Sequence, residues 1–399
     1  MNNSPLSILS QTNTILLMGA IAIIPMLPIT LYIPILPHIA SQFGYDTEIF
    51  QLTLPLFIIS QVIAMPITAM LSDTGYRLQA LYWALMVFII GTVLCIGWPS
   101  LWFFCTGRVL QAFSAATLMT VIPALINECY DTNSVARILS YVTAIGFVIP
   151  IVGPELSTLA SQRWSWNSVF AFMLAYSMIT FLICRRSIGK ATPPANRLTI
   201  EPLKKGLYHW KIMVQDKETQ AFLVCHTGIA VVGQIYISNS AFLFLDYYQL
   251  TEISYSYLIS ALYVSRTAIT LINGLLLKHV LYSKLIDLSL PMLMILALCM
   301  LLLDWFYGAS LIPSLILVVA FFALSGLVVT NALTGVLKNH ESCSMQASAL
   351  LFIVFSGTAS MLNIALIALH DGTPRVLSMV SMLILILTYL LYQRIKSGS

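Results

Sequence analysis

The stretch of sequence that decides the fold is Cys105-Thr106-Gly107-Arg108-Val109-Leu110-Gln111-Ala112-Phe113-Ser114-Ala115-Ala116. The apolar run around it extends from about Ser100 to Ile126, and crossing a bilayer takes about 20 residues. A cation at membrane depth costs about 3 kcal/mol or more, so Arg108 is expected to face a protein interior or a wet cavity. The small residues after it let a neighbouring helix approach closely. This pattern indicates a pathway for a solute or protons. The alternative is a structural arginine satisfied by backbone carbonyls.

Composition places the whole chain in a membrane. The 399 residues are 59% hydrophobic and only 9% charged, whereas a soluble protein carries about 25% charged residues. The net charge of +4 is too small and too scattered to indicate nucleic-acid binding. The cysteines form no CxxC pair and no zinc spacing, so no metal or cofactor is predicted.

Apolar runs of spanning length predict an all-α membrane protein of about twelve transmembrane helices in two sets of six. The division predicts an N-terminal six-helix bundle over 1–184, a cytoplasmic linker with a surface helix over 185–218, and a C-terminal six-helix bundle over 219–399, as in transporters built from repeats. The predicted spans are about 14–37, 51–71, 79–98, 100–126, 138–160, 168–184, 219–245, 254–277, 286–303, 309–333, 346–369 and 376–393.

The distribution of basic residues predicts the orientation. With both termini in the cytoplasm, about fifteen Lys and Arg residues fall on the cytoplasmic side and only Arg163 and Arg375 on the other. Tryptophans near the predicted external helix ends fit an aromatic belt: Trp98, Trp102, Trp164 and Trp166. The predicted topology therefore has many passes and both ends inside.

Prolines predict two distorted helices. Four of them in the first span leave carbonyls without intrahelical donors, so that helix is expected to be bent or broken. In the fifth span Pro150, Gly153 and Pro154 bend the helix and open a flat face. Glu155 follows directly, about 8 Å from the predicted external end at 1.5 Å per residue. Its carboxylate is either buried or reaching the external water.

Two further places carry candidate residues. In the turn after the second span, Asp73 can cap a helix end or pair with a cation, while Gly75 supplies the turn. The eighth span holds a second deep arginine, Arg266, preceded by Tyr263. His226, early in the seventh span, is interpreted as a helix-packing histidine.

Several segments together resemble a known family: Tyr32-Ile33-Pro34-Ile35-Leu36-Pro37, Leu71-Ser72-Asp73, Arg108-Val109-Leu110-Gln111-Ala112, Pro150-Ile151-Val152-Gly153-Pro154 and Trp164-Ser165-Trp166-Asn167-Ser168-Val169-Phe170. The sequence resembles the major facilitator superfamily over nearly its whole length, and within it the bicyclomycin-resistance/CflA-like drug:proton antiporters. The resemblance implies two six-helix bundles that rock about a central cavity, driven by the proton gradient. It also implies that Arg108 belongs to the family's membrane-embedded arginine motif, and that the Gly-Pro run forms the antiporter-type bend.

The sequence also departs from this family. Relatives carry an aspartate where this chain has Thr30, and the loop after Asp73 lacks the usual basic pair. Since an obvious proton carrier is missing, Glu155 is the candidate substitute. Two arginines and only one acid at membrane depth leave an excess of positive charge there. This excess favours anionic or zwitterionic solutes as substrates. Because the fifth and eighth helices face each other in this fold, Glu155 and Arg266 are hypothesised to interact in one state and separate in another.

The predicted function is secondary transport of a small organic molecule, most simply drug or metabolite efflux by proton antiport. The alternative is a carrier, in either direction, for an anionic metabolite such as a carboxylate siderophore. An enzyme is not expected, because no nucleophile–base pair or metal cluster is visible at membrane depth. The expected partners are the small-molecule substrate and the bilayer, and the expected state is a monomer. The candidate substrate and proton-pathway residues are Arg108, Glu155, Arg266, Tyr32, Gln111, Tyr263 and Thr30, and the candidate conformational residues are Asp73, Gly75, Pro150, Gly153 and Pro154.

Overall fold

The computed structural model describes residues 10–73, 77–98, 100–130, 132–146, 148–188, 201–277, 279–306, 310–340, 344–369 and 373–397. Within them the chain is helical and contains no strand. It divides into two compact units, Met1–Lys204 and Lys205–Ser399.

The described part of the first unit contains six long helices. They are α1 (Gln11–Phe43), α2 (Thr53–Asp73), α3 (Arg77–Gly97), α4 (Leu101–Cys129), α5 (in two parts, Thr132–Gly146 and Val148–Arg163) and α6 (Trp166–Ile188). A short helix, Thr47–Gln51, precedes α2.

The described part of the second unit repeats this arrangement after a linker helix. The helices are α7 (Glu201–Gln215), α8 (Lys217–Ala241, extended by a π-helical turn over Phe242–Tyr247), α9 (Glu252–Leu276), α10 (Tyr282–Phe306), α11 (Leu311–Asn339), α12 (Ser344–Leu369) and α13 (Arg375–Ser397). A helix is thus present where a surface helix was predicted; its place on a membrane surface stays a prediction.

The membrane-spanning character of the predicted helices is confirmed. By length and composition, eleven segments of the described residues can cross a bilayer. The predicted eighth span, α9, is not among these eleven, yet its 25 residues extend about 37 Å, longer than the hydrocarbon core of about 30 Å. With α9, the described residues contain the expected twelve helices long enough to cross a bilayer, six in each unit.

Each unit packs its helices in the same order. In the first unit α2 and α3 pack on α4, α5 packs on α1, and α6 packs on α3. In the second unit α9 and α10 pack on α11, α12 packs on α8, and α13 packs on α10. The same pairings at the same positions of the two six-helix sets are the pattern of a structural repeat.

The predicted break in the first helix is present. Helix α1 is interrupted by 3₁₀ turns at Ile24–Met26 and Ile33–Ile35, each with a proline near its start. Proline has no N–H to donate and clashes with the preceding turn, so it disrupts the α-helical ladder. The helix ends at Gly44, whose φ of 72° is left-handed and favours glycine.

An aromatic cluster closes one end of the first unit. The ring of Phe104 on α4 lies 5.5–6.0 Å, centroid to centroid, from the rings of Tyr32, Phe43, Phe50 and Phe170.

Trp166 belongs to this core and not to the aromatic belt, so its prediction is wrong. It is only 6% exposed, its ring lies 5.9 Å from that of Phe43, and its Nε1 donates to the Gln42 side-chain oxygen. Trp98, Trp102 and Trp164 are exposed, as a belt requires.

Candidate functional site

Arg108 is completely buried inside the first unit, with an exposed fraction of 0%. Its Nη1 donates hydrogen bonds to the backbone carbonyl of Pro28 at 2.8 Å and to Oε1 of Gln111 at 3.1 Å. The prediction that this arginine faces a protein interior is therefore confirmed by its burial. Helix α4 delivers the side chain from its eighth residue, about two turns from its start, and the interrupted α1 provides the main-chain acceptor.

Two aromatic rings complete the surroundings of this guanidinium. Its Cζ lies 4.3 Å from the ring centroid of Tyr32 and 4.7 Å from that of Phe57. A cation over an aromatic face is attracted by the ring quadrupole, most strongly when water is excluded. The Tyr32 hydroxyl in turn pairs with Oγ1 of Thr53 at 2.5 Å. Helices α1, α2 and α4 thus meet around one charge.

A hydrogen-bonded chain fixes the second polar residue of the predicted motif. Gln111 is fully buried, and its Nε2 donates to Oγ1 of Thr92 on α3 at 3.0 Å. The Thr92 hydroxyl donates to the carbonyl of Phe88 at 2.8 Å. Gln111 therefore presents its oxygen to Arg108 in one defined orientation. It serves as a positioning residue for the guanidinium.

Close approach of α3 and α4 makes this geometry possible. A Cβ at Gly107 would lie 2.5 Å from the carbonyl oxygen of Gly91, and a Cβ at Gly91 would lie 2.8 Å from that of Gly107. Both distances are shorter than any real carbon–oxygen contact. Two facing glycines therefore bring α3 within reach of Gln111, one turn from Arg108.

The charge of Arg108 is incompletely matched within the described residues. Its Nε and Nη2 are buried and have no hydrogen-bond partner there, and no carboxylate contacts it. Thr30, at the position where a relative would carry an acid, is buried with 5% exposure. A buried cation with unused donors and no counter-ion is costly unless a ligand supplies acceptors.

The second candidate, Glu155, lies on α5 at the Gly-Pro bend. Pro150, Gly153 and Pro154 are buried, and Glu155 is half-buried with no hydrogen bond or ion pair inside the described part of the chain. A Cβ at Gly153 would lie 2.9 Å from Cδ2 of Leu31, so glycine allows α1 to rest against α5.

Glu155 lies farther from the end of its helix than predicted. The helix continues to Arg163, so Glu155 lies about 12 Å from its end at 1.5 Å per residue, not about 8 Å.

The predicted conformational residues in the turn after α2 are only partly described by the structure. Asp73 is the last residue of α2, but its side chain and Gly75 lie outside the described residues. Next to them, Nη1 of Arg77 at the start of α3 pairs with Oε2 of Glu128 at the end of α4, at 2.9 Å. The sequence analysis did not find this ion pair, because the two residues are far apart along the chain.

In the second unit, Arg266 and Tyr263 are half-buried on α9. The guanidinium of Arg266 has no hydrogen bond or ion pair with any described residue. His226 on α8 is buried, and its ring lies 5.6 Å from that of Phe355 in an edge-on contact. That contact fits the interpretation of a packing histidine, although its Nδ1 has no partner in the described chain.

Sequence reasoning missed a buried acid, Asp304. It is 5% exposed on α10, its carboxylate accepts a hydrogen bond from the Ser378 hydroxyl, and Nε of Arg375 donates to its backbone carbonyl at 3.4 Å. The other end of the same helix pair is closed by Asp287, which accepts from Tyr392 at 2.8 Å and from Lys396 at 2.6 Å. Helices α10 and α13 are therefore joined at both ends.

Two buried asparagine pairs were also missed. Asn273 on α9 and Asn331 on α11 exchange reciprocal amide bonds of 2.8 and 3.2 Å. Asn239 on α8 donates to Asn363 on α12 at 2.9 Å. Polar residues inside apolar runs are the signal for such pairs, but which residues pair depends on the packing.

Comparisons with known proteins agree with this architecture. The model of the Major Facilitator Superfamily matches residues 18–363. An uncharacterised MFS-type transporter of Bacillus subtilis, YcnB, is 30% identical over 169 residues, 42% of this chain and 35% of that protein. The multidrug resistance protein MdtL of Klebsiella pneumoniae is 23% identical over 178 residues, 45% of each chain. The matched segments thus span less than half the length of these relatives.

Solved structures share the fold. A bacterial homologue of the human lysosomal transporter Spinster, in an inward-facing and occupied conformation, has a TM-score of 0.76 at 14% identity over 97% of both chains. A peptide transporter in complex with alafosfalin has a TM-score of 0.72 at 12% identity, over 96% of this chain and 94% of the other. With the family model covering most of its length, the chain belongs to the Major Facilitator Superfamily, a family of multi-pass membrane transporters.

Proposed function

We propose that this protein exports a small organic molecule, a drug or a metabolite, across the bacterial cytoplasmic membrane by alternating access in exchange for protons. The observation that carries the proposal is the burial of Arg108 with two of its nitrogens, Nε and Nη2, lacking a hydrogen-bond partner among the described residues. A cation at membrane depth costs about 3 kcal/mol or more. A ligand that completes its hydrogen bonds in one state of the cycle offsets that cost. The names of relatives such as the multidrug resistance protein MdtL support efflux.

The roles of individual residues follow from their chemistry. Arg108 binds an anionic group of the substrate, since a guanidinium holds a carboxylate or phosphonate with parallel hydrogen bonds. Tyr32 and Gln111 hold Arg108 in place, and Tyr263 is a cavity residue of the second unit. Glu155 exchanges the proton, because Thr30 has no titratable group.

We also propose that Arg266 pairs with Glu155 in one conformational state. Both side chains are half-buried without a hydrogen bond or ion pair among the described residues. Disulfide cross-linking of cysteines introduced next to these two residues, with Glu155 and Arg266 themselves left in place, should respond to substrate and pH. Cross-linking that is insensitive to both contradicts the pairing. The termini are proposed to be cytoplasmic and the protein a monomer that uses the proton gradient and no cofactor.

The decisive experiment measures transport in proteoliposomes with an imposed pH gradient, using matched anionic and cationic compounds. In the wild type, the pH gradient is expected to drive transport of an anionic compound in the direction opposite to the protons. Arg108→Ala should abolish transport of the anionic compound. Glu155→Gln should make the transport rate independent of the pH gradient while substrate binding stays unchanged. Asn167→Gln, on α6, is the control. Transport of cations alone, unaffected by Arg108→Ala, contradicts the assignment.

A second candidate is a carrier for an anionic metabolite, such as a carboxylate siderophore, in either direction. The observation that favours it is the charge balance: Arg108 and Arg266 each lack a carboxylate partner among the described residues, and unpaired cations favour an anionic ligand. Arg108→Ala and Arg266→Ala discriminate the candidates. If anion transport is lost while drug resistance is kept, the metabolite carrier is the correct function.

A further inference from the structure

A groove of about 670 Å³ runs along α5 and α6 inside the first unit, apart from the Arg108 site. Leu31 of α1 and Ile149 of α5 are buried lining residues, and Leu156, Leu159 and Phe172 are large exposed apolar side chains that line it. Its volume lies within the roughly 300–1,000 Å³ range of ligand sites. The exposed leucines form an apolar surface, and such a surface suits an acyl chain.

The polar atoms along the groove offer little to a ligand. The Ser157 hydroxyl donates to the carbonyl of Pro154 at 2.9 Å. The Ser168 hydroxyl donates to the carbonyl of Ser165 at 2.6 Å. Because these hydroxyl protons are already used, neither serine has a donor left for a ligand, and apart from Gln162 and Arg163 the groove is lined mainly by apolar side chains.

One end of the groove has the opposite character. Arg163, the last residue of α5, is exposed and lines the groove beside Trp164, which is 72% exposed. Across the described chain, Arg163 forms no hydrogen bond and no ion pair. An unpaired cation next to an exposed tryptophan at a helix end is the arrangement found at the head-group level of a bilayer.

The dimensions of the groove match one lipid leaflet. From Ile149 to Arg163 the lining extends over fourteen residues of helix, about 21 Å at 1.5 Å per residue. Half the hydrocarbon core is about 15 Å thick, so the groove covers one leaflet's acyl depth and reaches its head groups. An apolar channel of this length with a free cation at its mouth is complementary to a lipid with a negative head group.

We propose that this groove binds one anionic phospholipid, with an acyl chain along α5 and the phosphate on Arg163. The lipid lies against the Gly153 bend, since Leu31, which rests on Gly153, also lines the groove. In the predicted topology this is the external leaflet. The proposal does not depend on the transported substrate, because none of its residues belongs to the Arg108 site.

The test is native mass spectrometry of the full-length protein in detergent, titrated with phosphatidylglycerol or with phosphatidylcholine of the same acyl chains. The wild type should bind one phosphatidylglycerol in preference to phosphatidylcholine. Arg163→Gln should reduce that preference about fivefold, the equivalent of the roughly 1 kcal/mol that one basic residue contributes at an anionic lipid surface. Arg186→Gln, an exposed arginine at the other end of α6, is the matched control and should change nothing.

Filling the groove tests the acyl part of the site. Leu159→Trp should reduce the binding of both lipids, whereas Ile179→Trp, at an equally exposed position on α6 outside the groove, should not. Leu156→Trp serves as a second filling variant, and a thermal melt confirms that each variant is folded. Equal binding of the two lipids by the wild type, a preference that survives Arg163→Gln, or full binding by both filling variants each overturns the proposal.

Discussion

Nη1 of Arg108 on α4 donates a 2.8 Å hydrogen bond to the backbone carbonyl of Pro28 on α1. This bond joins the charged helix of the first unit to its interrupted helix. The ring centroid of Tyr32, on the same interrupted helix, lies 4.3 Å from the guanidinium carbon of Arg108. The position and orientation of the Arg108 guanidinium are thus set by neighbours that carry no charge.

A first prediction separates a functional arginine from a structural one. Arg108→Met removes a buried charge with unused donors, which is favourable, but it leaves the Gln111 oxygen without its donor, which costs about 1–3 kcal/mol. The two effects oppose each other, so the free energy of unfolding should fall by less than about 3 kcal/mol. Transport of anionic substrates should nevertheless be lost. Thermal unfolding in detergent and flux in proteoliposomes measure the two effects. A marked loss of stability identifies Arg108 as a structural residue and removes its transport role.

A second prediction concerns the contact of α3 with α4. Gly107→Ala inserts a carbon 2.5 Å from the Gly91 carbonyl, and overpacking of this kind costs about 1–3 kcal/mol. Gly97→Ala is the matched control on α3, because a Cβ there meets nothing within 4 Å. Thermal melts should show a lowered midpoint for the first variant only. Equal melting midpoints for the two variants would mean that α3 and α4 can move apart at little cost in free energy.

A third prediction compares the two ends of the α10–α13 pair. Ser378→Ala takes a donor from the buried Asp304 carboxylate and should cost about 1–3 kcal/mol. Lys396→Gln breaks an ion pair in which the side chains of Lys396 and Asp287 are 46% and 33% exposed, so it should cost less than about 1 kcal/mol. Midpoints of thermal unfolding provide the comparison. The reverse order contradicts the assignment of Asp304 as a buried acid.

A fourth prediction addresses the reciprocal amide pair of Asn273 and Asn331. Each single substitution by Ala leaves the other amide without its partner, and a double-mutant cycle should give a coupling near 0.6 kcal/mol, with about 1.7 as an upper bound. The cycle is measured by unfolding in detergent. Thr358→Ala, an exposed position on α12, is the control. Strictly additive losses contradict a direct bond between the two amides.

Much of the architecture was predictable from the sequence, because few backbone conformations satisfy all their hydrogen bonds inside the hydrocarbon of a bilayer. Twelve apolar runs predicted twelve helices, and the prolines of α1 predicted its break, since each removes a backbone donor. Burial of Arg108 followed from the cost of a charge in lipid. These are local or bulk properties, which a chain carries in its composition and spacing.

The missing parts depend on tertiary packing. The predicted span of α10 ended at residue 303, so Asp304 fell into a loop, whereas the helix continues to Phe306 and buries that acid against Ser378 of α13. For the same reason Glu155 was placed too close to the end of α5. Trp166 resembles a belt residue by position, but its neighbours on α1 and α6 enclose it. Hydropathy marks where a run of apolar residues stops, and helices extend beyond that point when another helix covers their polar ends.

The acceptor that anchors Arg108 is a peptide oxygen, and every amino acid brings one. Substitution at position 28 therefore changes the shape of α1 but leaves an oxygen in the chain, so the anchor tolerates sequence drift that would break a side-chain pair. The guanidinium therefore keeps its main-chain anchor in the first unit whichever side chain stands at position 28.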